Sequence, residues 1–365
     1  MRTLHTDKII EAVKEMCISA NLYLADDMDG KIRQAAKEED STLGKQILNQ
    51  LIENMEIAGE DKTPICQDTG MAVFFVNVGQ NLHIEGMNLT DAINEGVRRG
   101  YTEGYLRKSV VKDPLQRENT GDNTPAIIHY DIVPGDKLEI TIAPKGFGSE
   151  NMSKVYMLKP ADGEEGIRQS VLAAVKDAGP NACPPMVVGV GIGGTFEKCA
   201  LMAKDALTRE VGTHSDIQWV KDLEEEMLET INKLGIGPGG LGGTTTALAV
   251  NVNTYPTHIA GLPVGINICC HVNRHIAVIL VVVLSESAGA GAASVDHAGP
   301  HRTQGVDAVA LSVSVGTANQ AGIATIVIGV SNIRHTNFVG NLGAINVLVV
   351  DLDLLLGAVS EDHLG

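Results

Sequence analysis

Two hydrophobic periods alternate along the first three quarters of this chain, and the alternation restricts it to folds in which helices cover sheets. Apolar residues recur at helical spacing over residues 7–22, where Ile9, Ile10, Val13, Cys17 and Ala20 share one stripe, and again over 42–55, 92–106, 164–177, 195–207 and 216–234. Between these stretches lie short β-branched or aromatic runs at 71–78, 126–133, 137–142, 186–190, 247–252 and 264–268. Only Pro134, Gly135 and Asp136 separate the second run from the third, which predicts a hairpin. The expectation is an α/β fold: a mixed-sheet domain with N-terminal helices.

The pattern stops near His275. The 90 residues that follow contain no lysine and two arginines, Arg302 and Arg334, set in long Ala, Val, Gly, Ser and Leu stretches. Residues 1–275 are read as one domain and 276–365 as an anomalous, ill-defined C-terminal tail that should pack poorly. Net charge is −17, so a phosphate backbone, which demands clustered lysine and arginine, is not expected as a partner. The longest apolar run, 276–284, is far short of the roughly 20 residues that a membrane helix needs. The first residues lack the charged-then-apolar layout of a signal peptide, and a cytoplasmic location is expected.

Six cysteines are present, none in a C-x-x-C pair, and a reducing compartment would leave such widely spaced thiols free, buried or metal-bound. Three lie at loop or strand ends: Cys66 in TPICQDTG, Cys183 in GPNACPP and Cys270 in NICCH. Spacing alone favours ordinary buried thiols, because no short-range ligand pattern is present. Cys17 and Cys199 sit inside helical patterns and fit that reading. Strand alternation would send Cys269 and Cys270 to opposite faces.

What turns the balance is a set of strings in a fixed order: ICQDTG, LRKSVV, NTGDNTPA, KGFGSENMS, NACPPMVVGVGIGGT, GPGGLGGTTTALAV and PTHIAGLPVGINICCH. Over residues 1–275 the chain resembles the α subunits of class I, iron–sulfur fumarate hydratases and the related L-tartrate dehydratases, and GSEN is closer to the fumarase branch. The resemblance implies a hydro-lyase α-type catalytic domain with a [4Fe–4S] cluster on Cys66, Cys183 and Cys270. It implies substrate contacts at Gln67, Arg107 and Gly146, and proton handling by Asp68 and His258. Phe147 stands where the family usually runs three glycines, and Cys269 where it usually has no thiol. The implied reaction is reversible hydration of fumarate to (S)-malate, or the corresponding step on tartrate. A β subunit would supply the remaining cationic groups and a proton-abstracting threonine, in an assembly such as α2β2. No match to those β motifs follows His275. Without the resemblance Arg107 would read as a helix-end charge, Asp68 as a turn residue and His258 as a loop histidine.

Two other classes compete. Gly189-Val-Gly-Ile-Gly-Gly194 fits G-x-G-x-x-G between a strand-like run and a helix, the context of a dinucleotide-binding dehydrogenase. No acidic residue ends a second strand some 20 residues on, so these glycines are read as a strand-to-helix turn. The cluster 235–243 lacks the Gly-Lys-Ser/Thr of a P-loop. A non-catalytic scaffold with merely buried cysteines is the third class.

Overall fold

The computed structural model describes residues 2–280. In chain order the elements are β1 (Arg2–His5), α1 (Thr6–Leu22), α2 (Asp26–Glu38), α3 (Thr42–Asp61), β2 (Val73–Gly79), β3 (Leu82–Glu85), α4 (Leu89–Glu103), β4 (Ile127–Val133) and β5 (Leu138–Ile142). They continue with α5 (Phe147–Glu150), β6 (Lys154–Leu158), α6 (Gly163–Ala178), β7 (Met186–Gly193), α7 (Phe196–Asp205), α8 (Gln218–Asn232), β8 (Ala247–Tyr255), β9 (Leu262–Cys269) and β10 (Ile276–Leu280). Mixed sheets with helices at the N-terminus are the architecture that the two periods predicted.

Two four-stranded sheets carry the fold, one ordered β10-β5-β2-β4 and the other β6-β9-β7-β8. A two-stranded parallel ribbon, β1 with β3, flanks them. On the first sheet, Ile9, Val13 and Cys17 of α1 and Ile93, Val97 and Tyr101 of α4 bury against Phe74, Val76, Leu138 and Ile140. On the second, Val171 and Val175 of α6 and Leu223 and Met227 of α8 cover Val188, Val190, Val250 and Ile266. Met28 and Ile32 of α2 and Leu48 of α3 pack with Val187, Leu248 and Cys269 in a third core.

The expected hairpin is not formed. The strands β4 and β5 both pair with β2, which lies between them, the first parallel and the second antiparallel. The run VFFVNVG is the most apolar of the three and needs neighbours on both edges, so it takes the centre and displaces the local pairing. A second difference lies at the composition break. Ile276–Leu280 forms an edge strand antiparallel to β5, so the first sheet draws five residues from beyond His275. The rest of the tail, with Arg302 and Arg334, lies outside the described residues. Among the described residues no helix is long and apolar enough to cross a membrane.

Gly189 and Gly191 lie inside β7, not in a phosphate-binding turn. A Cβ built on them would meet the Ala203 and Cys199 carbonyls of α7 at 2.0 and 2.1 Å. These glycines let α7 lie flat on the strand, which accounts for them without a dinucleotide. Only Gly193 and Gly194, with φ of 94° and 67°, make the turn.

Candidate active site

Cys66 stands in the loop that leaves α3. That loop is pinned at Ile65, whose N–H donates to the Asn21 carbonyl (2.9 Å) and whose carbonyl accepts from Asn54 Nδ2 (2.9 Å). Beyond it, the Cys66 sulfur accepts from the Asp68 N–H at 3.4 Å and lies 3.4 Å from Gln67 Oε1. Asp68 then turns the chain: Oδ1 accepts from Gly70 N–H (3.0 Å), and Oδ2 accepts from Phe147 N–H (2.9 Å), the first residue of α5. The buried Tyr101 hydroxyl donates to the Thr69 carbonyl (2.9 Å), and Thr69 Oγ1 donates to the Arg107 carbonyl (3.0 Å). The Arg107 segment is thereby fixed beside the cysteine loop, and its side chain is exposed with no ion pair among the described residues.

Cys183 and Cys270 come to the same place from the second sheet. Cys183 ends a short 3-10 turn, Gly179–Ala182, in a left-handed conformation (φ 50°) just ahead of β7. Cys270 follows β9 directly. The neighbour of Cys270, His271, donates from Nδ1 to the Cys183 carbonyl at 3.0 Å, tying the two loops together. Cys66 and Cys270 pack against one small cluster of Ala58, Ile65 and Val272. Cys183 is exposed on its loop, and partial desolvation, with the nearby Cys66 adding to it, pushes its thiol up. Cys17 and Cys199 lie apart, buried in α1 and α7. Among the described residues no group of three or more His, Cys, Asp or Glu side chains could hold a metal ion.

The two adjacent thiols part as strand alternation predicts. Cys269 packs into the third core with Leu207 and Val211, and Cys270 into the cluster beside Cys66. The interaction between these neighbouring thiols pushes Cys269 down and Cys270 up, and the charges of Lys145 and Arg274 further favour a thiolate at Cys269.

Gly146 borders the same loop. An ideal Cβ there would lie 3.1 Å from Asp68 Oδ2, a tight contact, and 3.9 Å from Arg274 Nη2, an ordinary one, so a side chain would crowd the Asp68 carboxylate. Two buried cations beneath this segment escaped the sequence reading. Lys145 donates to the Ile268 carbonyl (2.8 Å) and to Ser149 Oγ (2.9 Å), anchoring the glycine segment to β9. Arg274, 4% exposed, donates from Nη2 to the Asp68 carbonyl at 2.5 Å and from Nε to the Pro144 carbonyl at 3.4 Å. Lys145 opens a string already singled out, whereas one arginine after ICCHVN carries no pattern.

His258 is elsewhere. It is exposed in the turn between β8 and β9, where its Nδ1 accepts from Ala260 N–H at 3.1 Å. Cys270 follows the other end of β9, about 23 Å along an eight-residue strand. Within one chain His258 does not join Asp68.

Residues 10–279 match the family described as Fumarate hydratase (Fumerase). A putative L(+)-tartrate dehydratase subunit alpha from Methanocaldococcus jannaschii is 44% identical over 273 residues, covering 73% of this chain and 95% of that relative. The L(+)-tartrate dehydratase subunit alpha of Escherichia coli strain UTI89 is 31% identical over 272 residues, covering 73% of this chain and 89% of the relative. With a family match over most of its length and relatives covered almost end to end, this chain belongs to the fumarate hydratase (Fumerase) family, a hydro-lyase family.

Proposed function

We propose that the chain is the α subunit of an iron–sulfur hydro-lyase that reversibly hydrates fumarate to (S)-malate, with Cys66, Cys183 and Cys270 holding a [4Fe–4S] cluster. The observation that carries this reading is that Cys66 and Cys270 pack on one cluster of Ala58, Ile65 and Val272, while His271, next to Cys270, holds the carbonyl of Cys183. A cubane takes each thiolate at a different corner, so its ligands stand further apart than those of a single ion. An all-thiolate set also suits iron–sulfur chemistry better than a hard cation. When bound, a cluster with one corner free of protein supplies Lewis acidity toward the hydroxyl that leaves.

The chain's own residues would do the rest on this side of the substrate. Arg107 presents paired planar donors to one carboxylate. Gln67 offers an exposed amide next to Cys66, and the bare Cα of Gly146 leaves room for a carboxylate beside Asp68. Asp68 is oriented by two main-chain N–H donors and keeps free acceptor positions with which to move a proton. His258 is too distant to act on the same substrate from the same chain, so its part in proton transfer is assigned to a second copy within an assembly such as α2β2. The second carboxylate and the abstracted proton need further cationic and basic groups, which a β subunit brings; the relatives named above are themselves called subunit alpha.

L(+)-tartrate is the second reading, favoured by the names of those same relatives. Anaerobic assembly with β, followed by parallel assays of (S)-malate and L(+)-tartrate dehydration, tests both. Turnover of malate in preference to tartrate is expected. The reverse preference would replace the substrate, and turnover of neither would overturn the hydro-lyase reading for this chain.

A further inference from the structure

Arg274 is the most deeply buried arginine near the cysteine loops, and its surroundings are unusual for a cation. It makes no ion pair among the described residues, and its Nη1 is buried without any hydrogen-bond partner. A buried, unpaired guanidinium is costly, and a group kept for stability alone would be expected to find an acid. What it does have is two carbonyls on two different segments. Nη2 takes Asp68 O at 2.5 Å, in the loop that carries Cys66, Gln67 and Asp68. Nε takes Pro144 O at 3.4 Å, just before Lys145 and Gly146.

We propose that Arg274 is a positioning residue for Asp68: its fork clamps the Cys66–Asp68 loop onto the Pro144–Gly146 segment and so aims the Asp68 carboxylate into the site. This inference rests on the hydro-lyase reading for the use to which Asp68 is put, but not for the clamp itself. The clamp explains why the Asp68 carboxylate spans two segments, with Oδ1 on Gly70 N–H and Oδ2 on Phe147 N–H. The bond to Phe147, which crosses from one segment to the other, closes only while the segments are held together. It also explains the type of residue. Lysine's ammonium carries three donors on a flexible stem with no fixed plane, whereas the planar guanidinium holds two carbonyls in fixed relative geometry. Gly146 fits the same account, because a Cβ there would press on Asp68 Oδ2 at 3.1 Å and touch Arg274 Nη2 at 3.9 Å.

The test compares wild type, Arg274→Lys and Arg274→Gln in the anaerobically assembled complex with β, by amide hydrogen exchange, turnover and iron content. Exchange at the amide of Phe147 should rise at least about tenfold in both variants while amides of α6 and α8 keep wild-type rates. Turnover should fall at least about tenfold in kcat with KM within about threefold, the split expected when a proton-transfer group is mis-aimed and carboxylate binding is intact. Iron content should stay at the wild-type level in Arg274→Lys. Wild-type exchange at Phe147 in both variants would overturn the clamp, and so would uniform loosening of the whole chain, which would make Arg274 a core prop. If the wild-type complex turns over neither diacid, the hydro-lyase reading falls, and the exchange rates still decide the clamp.

Discussion

At the scale of single residues, the candidate site is built from main-chain contacts to a few side chains, and each makes a separable prediction. Arg107 is held through its carbonyl while its guanidinium stays free, so Arg107→Lys should change stability by under about 0.5 kcal/mol and leave the melting temperature essentially unchanged. Loss of the bidentate carboxylate contact should cost about 1.5–3 kcal/mol of binding, roughly ten- to a hundredfold in KM. Unchanged KM in the assembled enzyme would remove Arg107 from the site. The Cys66 and Cys183 loops were legible in the sequence from the Pro and Gly residues around them, the Cys270 position from the strand-like run that ends there, and all three from recognisable strings; spacing by itself pointed to buried thiols. Arg274 was not legible, because its partners are carbonyls of Asp68 and Pro144, more than a hundred residues away. The separation of His258 from Asp68 was equally hidden, since it depends on β9 running its full length between His258 and Cys270.

At the scale of elements, helices such as α1 and α4 were plain because their apolar stripes face a whole sheet, while α2 buries only Met28, Ile32 and Ala35 and so showed too narrow a stripe to find. The β4–β5 pairing was misread because local turn chemistry cannot reveal a third strand, β2, that competes for both edges. The joint between α2 and α3 makes a pH prediction. Burial alone would raise the fully buried Glu39 carboxyl, but main-chain N–H donors from Thr244, Ser41 and Thr245 overcome it and push it down to about 2. Because the folded value lies below the unfolded one, this stability is present above about pH 4.5 and is lost as pH falls toward 2, up to about 3 kcal/mol in all. Glu39→Gln should therefore lower the melting temperature at pH 7 and flatten its fall between pH 5 and 2 (roughly the span between the two values); an unaltered acid limb would contradict it. Gly191→Ala would drive a methyl group into the Cys199 carbonyl, and should cost about 1–3 kcal/mol in a urea titration. A wild-type urea midpoint would refute that close approach of α7 to β7.

At the scale of the whole molecule, a chain of net charge −17 must gather its substrate-binding cations locally, and here they are few. Arg107 is exposed at the site, while Lys145 is buried on the Ile268 carbonyl, Ser149 and Glu150, and Arg274 is buried on two carbonyls. A dicarboxylate has two anionic ends, so the chain by itself should bind iron yet turn over slowly or not at all until β is added; full activity of α alone would show that the site is complete within it. The central claim is that Cys66, Cys183 and Cys270 together hold the cluster, and iron and sulfide counting after anaerobic reconstitution tests it most directly. Wild type, Cys17→Ser and Cys199→Ser should each carry about four iron and four sulfide per chain, and Cys66→Ser, Cys183→Ser and Cys270→Ser should each lose most of it. Full iron and sulfide in any one of the last three, or none in the wild type, would contradict the account.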